Sequence, residues 1–127
     1  MVDWKDRELF KIIEHEGQKK IVKCLREKFH CLVFDLDVMS ALSFIHNEKD
    51  KIRFINEHKA RGYTNGQPDI IAITPKGEVL FVEIKTKNGF QSDNQKKIEV
   101  WLLNHGQLYE VWKNVDDCLK NKKIIDI

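Results

Sequence analysis

The stretch Gly66-Gln-Pro-Asp-Ile-Ile-Ala-Ile-Thr-Pro-Lys-Gly-Glu-Val-Leu-Phe-Val-Glu-Ile-Lys85 decides how this chain is read. Residues 69–74 and 79–85 are two strand-like runs, and Pro75-Lys-Gly-Glu78 between them has turn chemistry, so the pair is expected to form a hairpin. Within the second run Glu83 and Lys85 interrupt an otherwise apolar sequence. Being two apart on a strand, they project from the same face, and burying both is costly unless they are partnered or functional. Asp69 directly follows Pro68 at the start of the first run, so an antiparallel hairpin brings it to the same end as Glu83 and Lys85.

Two carboxylates at converging strand ends, with the backbone carbonyl of Ile84 between Glu83 and Lys85, supply the hard oxygen ligands that Mg²⁺ or Mn²⁺ prefers. A lysine beside such an ion can orient or deprotonate a water and neutralise charge on a phosphate under attack. The plain alternative is a salt bridge between Lys85 and one of the acids at a sheet edge.

Outward from the hairpin, Ile21, Val22, Leu25 and Phe29 recur at spacings of one, three and four, which predicts an amphipathic helix over residues 14–29. Residues 31–37 are expected to be a strand, residues 40–61 a helix, and Gly62-Tyr-Thr-Asn-Gly66 a loop. Ser92 and Asp93 are suitable caps for a helix running to about Asn104, which His105-Gly106 would stop. Residues 107–112 alternate as a further strand, and Asn114 can cap a short helix through Leu119. The order α, β, α, β, β, α, β, α describes an α/β (α+β) fold around a mixed sheet, read as one domain over residues 1–127.

The 127 residues are 42% hydrophobic and 33% charged, against a typical charged share of about 25%, so a core under a densely charged surface is expected and disorder as the main theme is excluded. Net charge is only +2, and distribution says more: residues 17–28 carry +4, residues 49–61 and 85–97 carry +3 each, and residues 62–84 carry −2. An acidic centre among basic blocks suits a site for a metal and a phosphate backbone together; solvated helix faces are the plain alternative. Cys24, Cys31 and Cys118 are odd in number and not closely paired, which points to reduced thiols. The opening Met1-Val-Asp-Trp-Lys-Asp6 has no apolar signal region, and no window approaches the ~18 apolar residues of a membrane span. The expectation is a cytoplasmic protein, bacterial, archaeal or viral within its host, with no membrane partner. The five histidines lack zinc-motif spacing, and no Gly-rich phosphate loop signals a nucleotide cofactor. Trp4, Trp101, Trp112, Phe44 and Phe54 are read as core or interface; Phe90, in the loop after Lys85, is the aromatic placed to stack on a base.

Pro68-Asp69 followed by Glu83-Ile84-Lys85 resembles the PD-(D/E)XK signature of restriction-endonuclease-like nucleases. Gly89, Ser92 and Gln95 after the lysine, and Gly106 before a strand, are similar to the VRR-NUC subfamily, and the resemblance spans residues 14–112. It implies an αβββαβ core with a mixed sheet flanked by helices, Mg²⁺ or Mn²⁺ held by Asp69 and Glu83, Lys85 as catalytic lysine, and an acidic ligand from the first helix. Helical angles place Glu14 and Gln18 with the apolar stripe and Glu16 away from it, so Glu14 is the expected ligand and Glu16 the fallback. Gly17 beside them weakens the helix by roughly 1 kcal/mol and leaves its start uncertain. Gln95 is expected to support the site, or else to make a helix-to-loop hydrogen bond. Lys19, Lys20, Lys23, Lys87, Lys96 and Lys97 are candidate phosphate contacts, each also readable as ordinary surface. The implied activity is a metal-dependent, structure-selective DNA endonuclease of Holliday-junction or flap type, serving repair or recombination and acting as a homodimer on branched DNA. A sequence-specific restriction-type nuclease and a non-cutting nucleic-acid-binding module are the alternatives.

Overall fold

A computed structural model describes the backbone of residues 4–121 and the side chains of residues 14–121. The ends of the expected domain, residues 1–3 and 122–127, and the side chain of Trp4 lie outside the described residues. The elements are α1 (Trp4–Glu27), β1 (Leu32–Asp35), a 3₁₀ turn (Met39–Phe44), α2 (Glu48–Ala60), β2 (Ile70–Ile73), β3 (Val79–Ile84), α3 (Asp93–Asn104), β4 (Leu108–Trp112) and α4 (Val115–Leu119). The four strands form one sheet in the order β1-β2-β3-β4, antiparallel except for the β3–β4 pair, which is parallel with α3 as its crossover. The fold is therefore α+β with a mixed sheet flanked by helices.

The hairpin forms for local reasons. Pro75 follows Thr74, whose carbonyl accepts from the Gly77 N–H at 2.8 Å, and Gly77 takes φ +86° to close the return, so Thr74 N–H then reaches the Glu78 carbonyl at 2.9 Å. Ile70 stands opposite Val82 and Ala72 opposite Leu80, which sends these four side chains to one face. There they meet Ile21 and Leu25 of α1, Val33 of β1, Trp112 of β4 and Cys118 of α4 in a single buried cluster. The expected apolar stripe of α1 is thus the core face, and the helix extends through Gly17 back to Trp4 rather than starting near residue 14. The three cysteines are free thiols.

Residues 40–61 are not one helix. The 3₁₀ turn ends at Ile45 in an extended conformation, and Asn47 then accepts from the N–H groups of Lys49 and Asp50 to start α2. The first strand stops at Asp35 instead of Asp37, because the Asp35 carboxylate takes the Asp37 N–H at 3.0 Å and turns the chain out of the sheet.

Candidate active site

The sheet ends unevenly, and the uneven end is where the acidic residues meet. β2 begins at Ile70, so β3 runs past it, and at that point a side chain replaces the missing strand partner: the Asp69 carboxylate accepts the Ile84 N–H at 2.7 Å. The Lys85 N–H goes the other way, to the Trp112 carbonyl at 2.9 Å. Because N–H and C=O of one residue point to the same side of a strand, the Ile84 carbonyl faces the Asp69 side, where β2 has ended. Continuing the register puts Asp69 opposite Glu83.

A cavity of about 270 Å³ opens at this end, and every layer of the fold contributes to it. Ile84 comes from the end of β3 with Lys85 just beyond it, Asp69 from the residue before β2, Glu14 and His15 from α1, Gln95 from α3, and Asp37, Met39, Ser40 and Leu42 from the segment after β1. Gly66 fixes the α3 side: it has φ +89°, and a Cβ there would lie 2.6 Å from the Asn94 carbonyl carbon and 2.8 Å from the Gln95 nitrogen. The loop that delivers Asp69 is thereby pressed against the first turn of α3. Gln95 has a structural bond as well as a place in the cavity, since Ser92 and Gln95 form a reciprocal capping box in which its Oε1 accepts the Ser92 N–H at 2.7 Å.

Burial dominates the electrostatics. Desolvation pushes the Asp69 carboxyl up to about 7, the Ile84 N–H opposes this, and the charges of Glu83, Asp37 and Glu14 push it further up. Glu83 is fully buried beside Tyr109 and Gln91, behind the residues that line the cavity, and is likewise raised by burial, with Lys85 as the first opposing influence. No ion pair to Asp69 or Glu83 holds Lys85 among the described residues, so the simple salt-bridge alternative does not describe this lysine.

The other sequence candidates separate. Glu16 is exposed and paired with Lys19 at 2.8 Å, whereas Glu14 lines the cavity; Gln18 instead donates to Asp35 at 3.3 Å in a neighbouring groove. Lys20 and Lys87 line a groove of about 800 Å³ that joins the cavity at Glu14, Ile84 and Lys85, and Lys113 lies in it too. Lys19 and Lys23, with Arg26, line a second groove of about 730 Å³ that meets the cavity at His15, Asp37 and Ser40. Lys96 and Lys97 are exposed and line neither groove. Asp37, which no motif in the sequence singles out, has its carboxylate 3.1 Å from His15 Nε2 and also accepts the Ser40 N–H. An aspartate just past a strand end was its only local signal.

Among the described residues no three His, Cys, Asp or Glu side chains stand ready-arranged around a metal. The donors nevertheless fit a hard divalent cation by their chemistry: Asp69 and Glu14 share the cavity, the Ile84 carbonyl faces it, and both oxygens of buried Glu83 lack a hydrogen-bond partner.

No protein-family model and no curated protein matches the sequence. Two solved structures match the fold. One, a VRR_NUC domain, aligns over 90% of this chain and 95% of its own with a TM-score of 0.59 and 22% identity. The other, a VRR_NUC domain protein, covers 88% and 89% with a TM-score of 0.58 and 18% identity. The chain has the VRR_NUC domain fold. At these identities the likeness concerns architecture, and within the VRR_NUC fold the chemistry rests on this chain's own residues.

Proposed function

We propose that the protein is a divalent-metal-dependent DNA endonuclease of the VRR-NUC type that hydrolyses phosphodiester bonds at the Asp69–Lys85 cavity. The observation that carries this reading is the convergence of Asp69, Glu14, the Ile84 carbonyl and Lys85 at one open sheet end, with lysine-lined grooves entering from two sides. Asp69, Glu83, the Ile84 carbonyl and Glu14 would hold Mg²⁺ or Mn²⁺. When bound there, such an ion would supply a more acidic water and positive charge beside the scissile phosphate. Lys85 orients the attacking water and balances charge that grows on the phosphate oxygens. Gln95, with its Oε1 committed to the helix cap, offers its NH₂ group to a phosphate oxygen or water in the cavity. Lys20, Lys87 and Lys113 on one side, and Lys19, Lys23 and Arg26 on the other, take the flanking phosphates.

Two grooves meeting at one cavity suit a substrate that changes direction at the cut, which favours branched DNA such as a flap or four-way junction in repair or recombination. Paired cuts across a four-way junction take two copies of the chain, and a symmetric homodimer is the economical arrangement. Cleavage of a labelled panel of linear duplex, single strand, 5′ flap and four-way junction, in Mg²⁺, Mn²⁺ or EDTA, tests the reading. Metal-dependent cutting ranked toward branched substrates supports it. Tight, metal-independent binding with no cutting of any substrate leaves a nucleic-acid-binding module on the same fold.

A further inference from the structure

Glu83 occupies an expensive position. It is fully buried on the α3 face of the sheet, and neither carboxylate oxygen reaches hydrogen-bond geometry with a partner. Two more buried polar atoms in the described residues share that condition beside it, the Tyr109 hydroxyl and the Gln91 Nε2. Their placement follows from the fold. Tyr109 stands in register with Phe81, so on the parallel β3–β4 pair it is the diagonal neighbour of Glu83 on the same face. Gln91 lies at the end of the loop between β3 and α3, next to the capping Ser92. Both side chains sit close enough to the Glu83 carboxylate to favour its charge against the burial that raises it. Two donors and one acceptor group, all buried and all unpaired, have each other as their cheapest partners.

We propose that Tyr109 and Gln91 are positioning residues for Glu83. The Tyr109 O–H and the Gln91 N–H donate to one carboxylate oxygen and fix the side chain's orientation, which leaves the other oxygen for a cation. The inference rests on the nuclease reading for its use and on the buried cluster for its existence, and the two are tested separately. Mn²⁺ binding to the DNA-free protein is measured by titration calorimetry for the wild type, Tyr109→Phe and Gln91→Leu, both close to isosteric. Outer partners of metal ligands typically change affinity by 10–100-fold, and a loss of about tenfold is expected for each variant. Unchanged Mn²⁺ affinity in both variants, with wild type binding, overturns the proposal. Thermal melts in EDTA complete a double-mutant cycle with Glu83→Gln. The melting-temperature change caused by Tyr109→Phe is expected to differ between the wild-type and Glu83→Gln backgrounds; the same change in both overturns the contact. Wild type that binds no Mn²⁺ sinks the nuclease reading, and the cycle still decides whether the three side chains act together.

Discussion

Asp69 serves two ends at once, as a stand-in for a missing strand partner and as a cavity-lining acid. Burial holds its carboxyl at about 7 against an ordinary 3.8. Below the lower value both folded and unfolded chains carry the proton, and between the two the folded chain alone keeps it. Stability of the metal-free protein therefore falls as pH rises from about 4 to about 7, and the cost is fully present above 7. Asn at this position keeps an acceptor for the Ile84 N–H and never ionises. Asp69→Asn should accordingly raise the melting temperature in EDTA at pH 8 while changing it little at pH 4, and thermal melts at the two pH values check this. The same proton competes with a cation, so Mn²⁺ affinity of the wild type should weaken as pH is lowered from 8 to 6. Lys85 differs in kind, because among the described residues no ion pair with Asp69 or Glu83 ties it into the fold. Lys85→Ala should leave the urea midpoint nearly unchanged and slow single-turnover cleavage by about 10²–10³-fold.

The junction of the Gly66 loop with α3 joins stability to the site. A side chain at residue 66 would meet the backbone of Asn94 and Gln95 and would have to adopt a left-handed φ, so Gly66→Ala should cost on the order of 2 kcal/mol and displace Asp69 relative to Gln95. Urea denaturation midpoint and cleavage rate should fall together in that variant. Ser92→Ala and Gln95→Ala each break the capping box, at about 1 kcal/mol, but Gln95→Ala should lose more cleavage rate than Ser92→Ala at equal loss of stability. These elements were legible in the sequence because their signals are local. Pro75 and Gly77 mark the turn, Ser92 and Gln95 mark the cap, and Gly106 at φ +77° ends α3 as expected, with the Gln107 N–H reaching the Leu102 carbonyl. The division of residues 40–61 was also marked, by Asn47 ahead of Glu48 and Asp50, but a continuous helical reading hid it. Pairings across long sequence separation had no such signal. His15 meets Asp37 over 22 residues, and Tyr109 lies diagonal to Glu83 only because β3 and β4 pair in parallel.

Over the whole molecule, charge is organised around the uneven end of the sheet. An acidic centre between basic blocks was visible in the sequence, but which lysines border the cavity depends on packing: Lys20 and Lys87 do so through their groove, Lys96 and Lys97 do not, and Lys113 joins from beyond β4. Replacing Lys20, Lys87 and Lys113 by Gln should weaken DNA binding and reduce the slope of log affinity against log salt by about one for each phosphate left without its lysine, whereas Lys96→Gln with Lys97→Gln should change it less. Fluorescence anisotropy across a salt series measures both. In the proposed reaction a divalent cation held around Asp69 and Glu83 and the ammonium of Lys85 together break a phosphodiester. Single-turnover cleavage of a labelled four-way junction in Mn²⁺ tests it most directly, with wild type, Asp69→Ala and Lys85→Ala run beside an EDTA control. Wild type is expected to cut, EDTA to abolish the cutting, and either substitution to reduce it by about a hundredfold or more with DNA binding retained. Equal cutting by all three proteins, or no cutting by a wild type that binds both the junction and Mn²⁺, would contradict it.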